Sequence, residues 1–112
     1  MSKRDEKITH YLEVIKKLEL DLTDELITKV TVGLGPSIYK KNAELVSCSS
    51  KEELDKIKTN FLIKKLGLPN DEKLDTAIKN ACKAMGSSNR QKYRPIFYAL
   101  LVKELKKEDI YA

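Results

Sequence analysis

The chain has one histidine, two cysteines and no tryptophan, so the chemistry open to it can be examined group by group. Ser–His or Cys–His nucleophilic catalysis needs a base oriented by a third group. His10 stands beside an apolar helical stripe with no such partner near it in sequence, and reads as a surface histidine. A zinc site needs three or four Cys, His or carboxylate ligands at close spacing; His10, Cys48 and Cys82 are too few and too far apart. The acidic pairs Glu52/Glu53 and Asp71/Glu72 could share a proton, yet both stand at predicted helix starts, where the positive end of the helix dipole accounts for them. Gly33-Leu34-Gly35 begins like a dinucleotide fingerprint, but the third glycine would fall at Ile38 and no strand precedes it. The Asp-containing stretches lack the alternating ligands and central glycine of an EF-hand loop. No catalytic residue, metal ligand or cofactor is assigned, and no enzyme is expected.

One segment keeps a chemical possibility. In MGSSNRQKYRP, residues 85–95, a predicted helix start at Ser88 would offer free backbone N–H groups to an anion, with Arg90 and Arg94 to strengthen the field. Two cations four apart on a helix repel by about 0.2–0.5 kcal/mol. An oxyanion between them would relieve that, making Ser88, Arg90 and Arg94 a candidate anion-binding set. A carboxylate from elsewhere in the fold would relieve it equally well, and this ordinary salt bridge is the stronger of the two readings. Lys92 points to another side, so the cations do not form one patch.

The elements that position these groups follow from the apolar spacing, which is helical almost throughout. A first helix, opened by Ser2 and Asp5, carries Ile8, Tyr11, Leu12, Ile15 and Leu18. Thr23 caps a second helix that buries Leu26, Ile27, Val30 and Leu34. This helix is expected to fray near Gly33; the stretch 33–39 breaks it, Pro36 disfavours a helical Gly35 and can itself start a short turn, and the region around 33–48 reads as a Gly-Pro loop. Ser49 or Ser50 opens a third helix with Leu54, Ile57, Phe61, Leu62 and Leu66 on its stripe, ended by Gly67. Asn70 or Asp71 caps a fourth, with Leu74, Ala77, Ile78, Ala81 and Met85 inward and Gly86 at its end. Ser88 with Gln91 forms a capping box for a fifth helix carrying Tyr93, Ile96, Phe97, Leu100, Leu101 and Leu105. Pro95 within it predicts a kink or a later start. The core is expected to include Leu54, Phe61, Leu62, Ile78, Phe97 and Leu100.

At 112 residues with 41% hydrophobic and 35% charged residues, the chain reads as one helical domain, 1–112, with a small aliphatic core. The polar start Met1–Glu6 reads as no secretory signal, and no apolar run approaches the ~20 residues of a membrane span. A cytoplasmic protein with no membrane partner is expected, and with it two reduced thiols rather than a Cys48–Cys82 bond. Cys82 falls on an apolar face; Cys48 sits in a polar stretch. The net charge of +5 is concentrated in residues 39–65 and 83–112, which is modest for a nucleic-acid binder.

The blocks TKVTVGLGPSIY (28–39), VSCSSKEELDKIKTNFLIKKLGL (46–68) and MGSSNRQKYR (85–94) together resemble a small bacterial family known only as a domain of unknown function. The resemblance spans residues 5–111 and implies a compact all-helical domain and no activity. The reading is thus an all-α fold of five main helices packed orthogonally. Its expected role is a non-enzymatic interaction module with an unknown protein partner or a second copy of itself. The alternative is weak nucleic-acid or anion binding through the basic blocks 39–65 and 83–112.

Overall fold

The computed structural model describes residues 3–40, 44–86, 89 and 92–111. Five helices carry the fold: α1 (Lys3–Lys17), α2 (Asp24–Leu34), α3 (Lys51–Ile57, continuing as a π-helical segment Lys58–Lys65), α4 (Glu72–Met85) and α5 (Arg94–Glu104). Short 3-10 turns follow α2 (Gly35–Tyr39) and close the described chain (Glu108–Tyr111). No strand occurs among the described residues; the nearest approach is a single antiparallel bridge between Leu45 and Tyr93.

The caps form where the side-chain chemistry asks for them. Thr23 accepts from the Leu26 N–H at 3.1 Å, Ser50 from Glu53 at 3.3 Å and Asp71 from Lys73 at 2.7 Å, each satisfying a backbone donor that the first helical turn leaves without a partner. Ser50, not Ser49, is the α3 cap. The fifth helix differs from the expected Ser88 start. It begins at Arg94, with Tyr93 as its non-helical flanking residue and Pro95 in its first turn. There proline costs no ladder hydrogen bond, so Pro95 helps to start this helix and does not kink it. Ser88 and Gln91, the expected capping box, lie outside the described residues, as does Ser2.

One core joins all five helices. Tyr11 and Ile15 of α1, Ile27 and Val30 of α2, Ile57 and Leu62 of α3, Leu74 and Met85 of α4, and Ile96, Phe97 and Leu101 of α5 are buried in it. Of the six expected core residues, Phe61, Leu62, Ile78 and Phe97 are buried, while Leu54 and Leu100 pack against the cluster half-buried. The molecule measures 40 × 32 × 25 Å.

The cysteines depart from expectation. Cys48 and Cys82 form a disulfide, with Cα atoms 6.1 Å apart and a sequence separation of 34. Compartment alone predicts free thiols. Packing decides instead: the turn before α3 lies against the α4 face bearing Cys82 and brings the Cα atoms within the span a disulfide can bridge.

Candidate functional site

Three side chains at i, i+3 and i+4 on α1, namely Lys7, His10 and Tyr11, share one helix face. They meet the segment after the Gly-Pro turn and the residue that precedes α5. Glu44 is the centre of the resulting cluster. Its carboxylate accepts from Lys7 Nζ at 3.1 Å and from the Tyr11 hydroxyl at 2.5 Å, and the residue is only 7% exposed. A carboxylate so enclosed must be paired to be tolerated, and Lys7 with Tyr11 does this. Next to it, His10 Nε2 lies 2.9 Å from the Tyr93 hydroxyl; which of the two donates depends on the imidazole tautomer. The rings of His10 and Tyr93 meet edge to face at 5.1 Å, and Tyr93 leans on Tyr11 at 5.3 Å.

The electrostatics keep both phenols protonated. Burial pushes the Tyr11 hydroxyl far above its ordinary value, and its hydrogen bond to Glu44, with the negative charge there, pushes it further. Tyr93 is raised by burial and then by the Glu44 charge, with Lys7 opposing. Tyr11 is therefore a fixed hydrogen-bond donor and a poor base or nucleophile.

The adjoining residue, Arg94, is the described member of the candidate anion set; Ser88 and Arg90 lie outside the described residues. Arg94 Nη2 donates to Glu53 Oε1 at 2.7 Å and to the Leu45 carbonyl at 3.3 Å, while Nη1 donates to the Tyr98 hydroxyl at 3.0 Å. Its guanidinium also lies 5.6 Å from the Tyr98 ring centre, and Tyr98 stacks on Phe61 at 4.1 Å. The Glu53–Arg94 pair lines an open cleft of about 500 Å³ that Ser50, Lys56 and Asn60 also border. Arg94 thus engages a carboxylate from α3, the kind of partner the spacing of Arg90 and Arg94 left open.

Tyr93 and Arg94 act together on the segment 44–46. Val46 N–H donates to the Lys92 carbonyl at 2.8 Å, Leu45 bridges Tyr93, and Arg94 holds the Leu45 carbonyl. The Lys-Tyr-Arg end of the 85–95 segment is therefore a clamp on a distant loop. The family assignment now has a structure beneath it. The description "Protein of unknown function (DUF2853)" matches residues 10–109. The chain belongs to the DUF2853 family. No curated protein matches it.

The DUF2853 match takes in every residue of the cluster except Lys7. Sequence reading left Tyr11, Glu44, Tyr93 and Glu53 without a site role. Tyr11 and Tyr93 sat on apolar stripes, and Glu44 sat in a stretch without a period. The signal that could have found them is the spacing of Lys7, His10 and Tyr11, which sets two polar side chains, the exposed His10 among them, beside a buried tyrosine on one face of α1. Among the described residues, every buried side-chain nitrogen or oxygen has a hydrogen-bond partner. No group of His, Cys, Asp and Glu among the described residues is arranged to hold a metal ion, and no helix among them is long and apolar enough to cross a membrane.

Proposed function

We propose that this DUF2853 chain is a non-enzymatic interaction module of the cytoplasm that works by pairing with a second copy of itself. One observation carries the reading. Among the described residues, the large apolar side chains left exposed, Val32 at 49%, Tyr39 at 46% and Ile110 at 40%, belong to the end of α2, the turn that follows it and the final 3-10 turn, which packs against α2. Apolar groups grouped on touching elements mark an association surface, in contrast to apolar residues scattered singly. The most chemistry-bearing cluster, at Glu44, spends its polar groups on one another and supports a structural role for them.

Sedimentation velocity across a concentration series tests the proposal. The wild-type chain is expected to gain mass with concentration, and Val32→Asp with Ile110→Asp to remain monomeric with its melting temperature unchanged at high dilution. A wild type that stays monomeric throughout, or a double variant that associates as before, overturns it. The basic blocks 39–65 and 83–112 are tested beside it. Nucleic-acid affinity that falls steeply with salt, or a melting temperature that phosphate raises in wild type but not in Arg90→Ala, replaces the module reading with anion binding.

A further inference from the structure

Cys48 and Cys82 are the chain's only cysteines and they are joined. Both are half-buried, so the bond lies at the margin of the core, within reach of a small thiol. The buried core is built from other side chains, with Cys48 and Cys82 packed at its edge. Tyr11, Ile27, Leu62, Met85, Phe97 and Leu101 form a continuous apolar cluster. The neighbouring segment is anchored without sulfur, through Glu44 to Tyr11, Val46 to Lys92 and Leu45 to Arg94. A chain of this length with its own core is unlike the small disulfide-dense scaffolds that cannot fold unbridged.

The turn that presents Cys48 is held differently. Cys48 packs at the edge of the core, and the hydrogen bonds of the turn are local: Ser50 N–H to the Ser47 carbonyl at 3.2 Å, the hydroxyls of Ser47 and Ser49 at 3.1 Å, and Ser47 N–H to Glu53 at 3.3 Å. The last two are exposed to water. The disulfide is the covalent tie between this turn, with the helix it opens, and α4.

We infer that Cys48–Cys82 is a reversible thiol–disulfide clasp that fixes the start of α3 on α4 when oxidised and frees it when reduced, while the rest of the fold persists. The oxidant is a low-molecular-mass disulfide. One protein thiolate attacks a sulfur of that reagent, expels the first small thiolate and leaves a mixed disulfide. The second protein thiolate then attacks the protein sulfur of the mixed disulfide and expels the other small thiolate. Two electrons pass from the protein to the reagent, and the two thiol protons end on the two small thiols. Because Glu53 lies in the first turn of α3, release also loosens its ion pair with Arg94, so the cleft between α3 and α5 responds to the same reaction.

Hydrogen exchange on the oxidised chain, the chain reduced with excess glutathione, and Cys48→Ser/Cys82→Ser tests this. Amides of Lys51–Ile57 are expected to exchange at least about tenfold faster in the reduced chain and in the double variant, with α1 and α5 unchanged. Returning the reduced chain to glutathione disulfide restores the slow exchange, whereas the double variant responds to neither reagent. Three results overturn the inference: a bond that excess glutathione leaves intact, exchange in α3 that is the same in both states, or loss of protection throughout the chain. A double variant that does not fold counts with the last, because the bond is then a scaffold.

Discussion

A tyrosine hydroxyl 2.5 Å from a buried carboxylate makes stability depend on pH in a definable way. Tyr11 and Tyr93 are both raised above the ordinary phenol value of 10.0, so the folded chain holds protons that the unfolded chain releases. Their contribution is fully present below about pH 10 and is lost as pH rises through the folded-state values. Alkaline titration followed at the tyrosinate absorption band is therefore expected to show phenols that ionise only as the protein unfolds. A curve in which all five tyrosines ionise together near pH 10, with the fold intact, contradicts the cluster. Tyr11→Phe removes a hydrogen bond to a charged acceptor and is expected to cost about 1.5–3 kcal/mol in urea unfolding. Arg94→Lys keeps the charge but loses the fork that serves Glu53, Leu45 and Tyr98 at once; a Tm equal to that of wild type would show that fork to be idle.

Helix ends and one irregular helix set the scale above. Two helices end in the left-handed conformation without glycine, at Glu19 (φ 55°) and Lys106 (φ 56°). At the first, Leu20 N–H reaches the Ile15 carbonyl at 3.0 Å and Glu19 N–H reaches Lys16 at 3.2 Å, the pair of bonds that closes a helix in a Schellman motif. A side chain in this conformation costs about 1–2 kcal/mol. Glu19→Gly is therefore expected to stabilise the protein, by about 0.5–1 kcal/mol after glycine's own entropic cost; thermal melts that fall instead would show Glu19 to hold a compensating contact. The π-helical turn after α3 has a packing reason. Ile57, Phe61, Leu62 and Leu66 recur at steps of four, one and four, and all are buried. The Leu66 N–H bonds five residues back to Phe61 at 2.9 Å, which widens the turn so that Phe61 and Leu62 both face inward. Phe61→Ala removes the ring stacked on Tyr98 and leaves a cavity, for an expected loss of about 3–5 kcal/mol.

For the whole molecule the covalent link and the core act on different parts of the equilibrium. Closing a loop of 34 residues restricts the unfolded chain by an entropy equivalent to about 4 kcal/mol in the chain-entropy account. The core acts in the folded state, and 22 apolar residues in one cluster are consistent with a fold that survives without the bond. Reduction is accordingly expected to lower the urea midpoint and to leave far-ultraviolet circular dichroism at the starting conditions unchanged. A reduced chain that loses its helical signal in water would place the bond among the necessities of the fold.

Local pattern was enough for the all-helical class, the cap at Thr23, the helix ends at Gly67 and Gly86 and the inward face of α4, because each depends on neighbours a few residues away. It left Ser49 or Ser50 and Asn70 or Asp71 open as caps, and α2 runs past the expected fraying at Gly33 to Leu34. The resemblance carried by three blocks was enough for the family. Other features depended on partners far apart in sequence. Glu44 is 33 residues from Tyr11, Glu53 is 41 from Arg94 and His10 is 83 from Tyr93. Nothing in the spacing of one segment encodes which distant segment will meet it. The start of α5 at Arg94 shows the same limit: Ser88 and Gln91 have the right chemistry for a cap, but Lys92 and Tyr93 pair with Val46 and Leu45 across the fold, and the helix begins after them. The disulfide, too, was decided by tertiary packing, since two thiols bond only when the fold brings their Cα atoms within reach, here a turn residue and a helix residue.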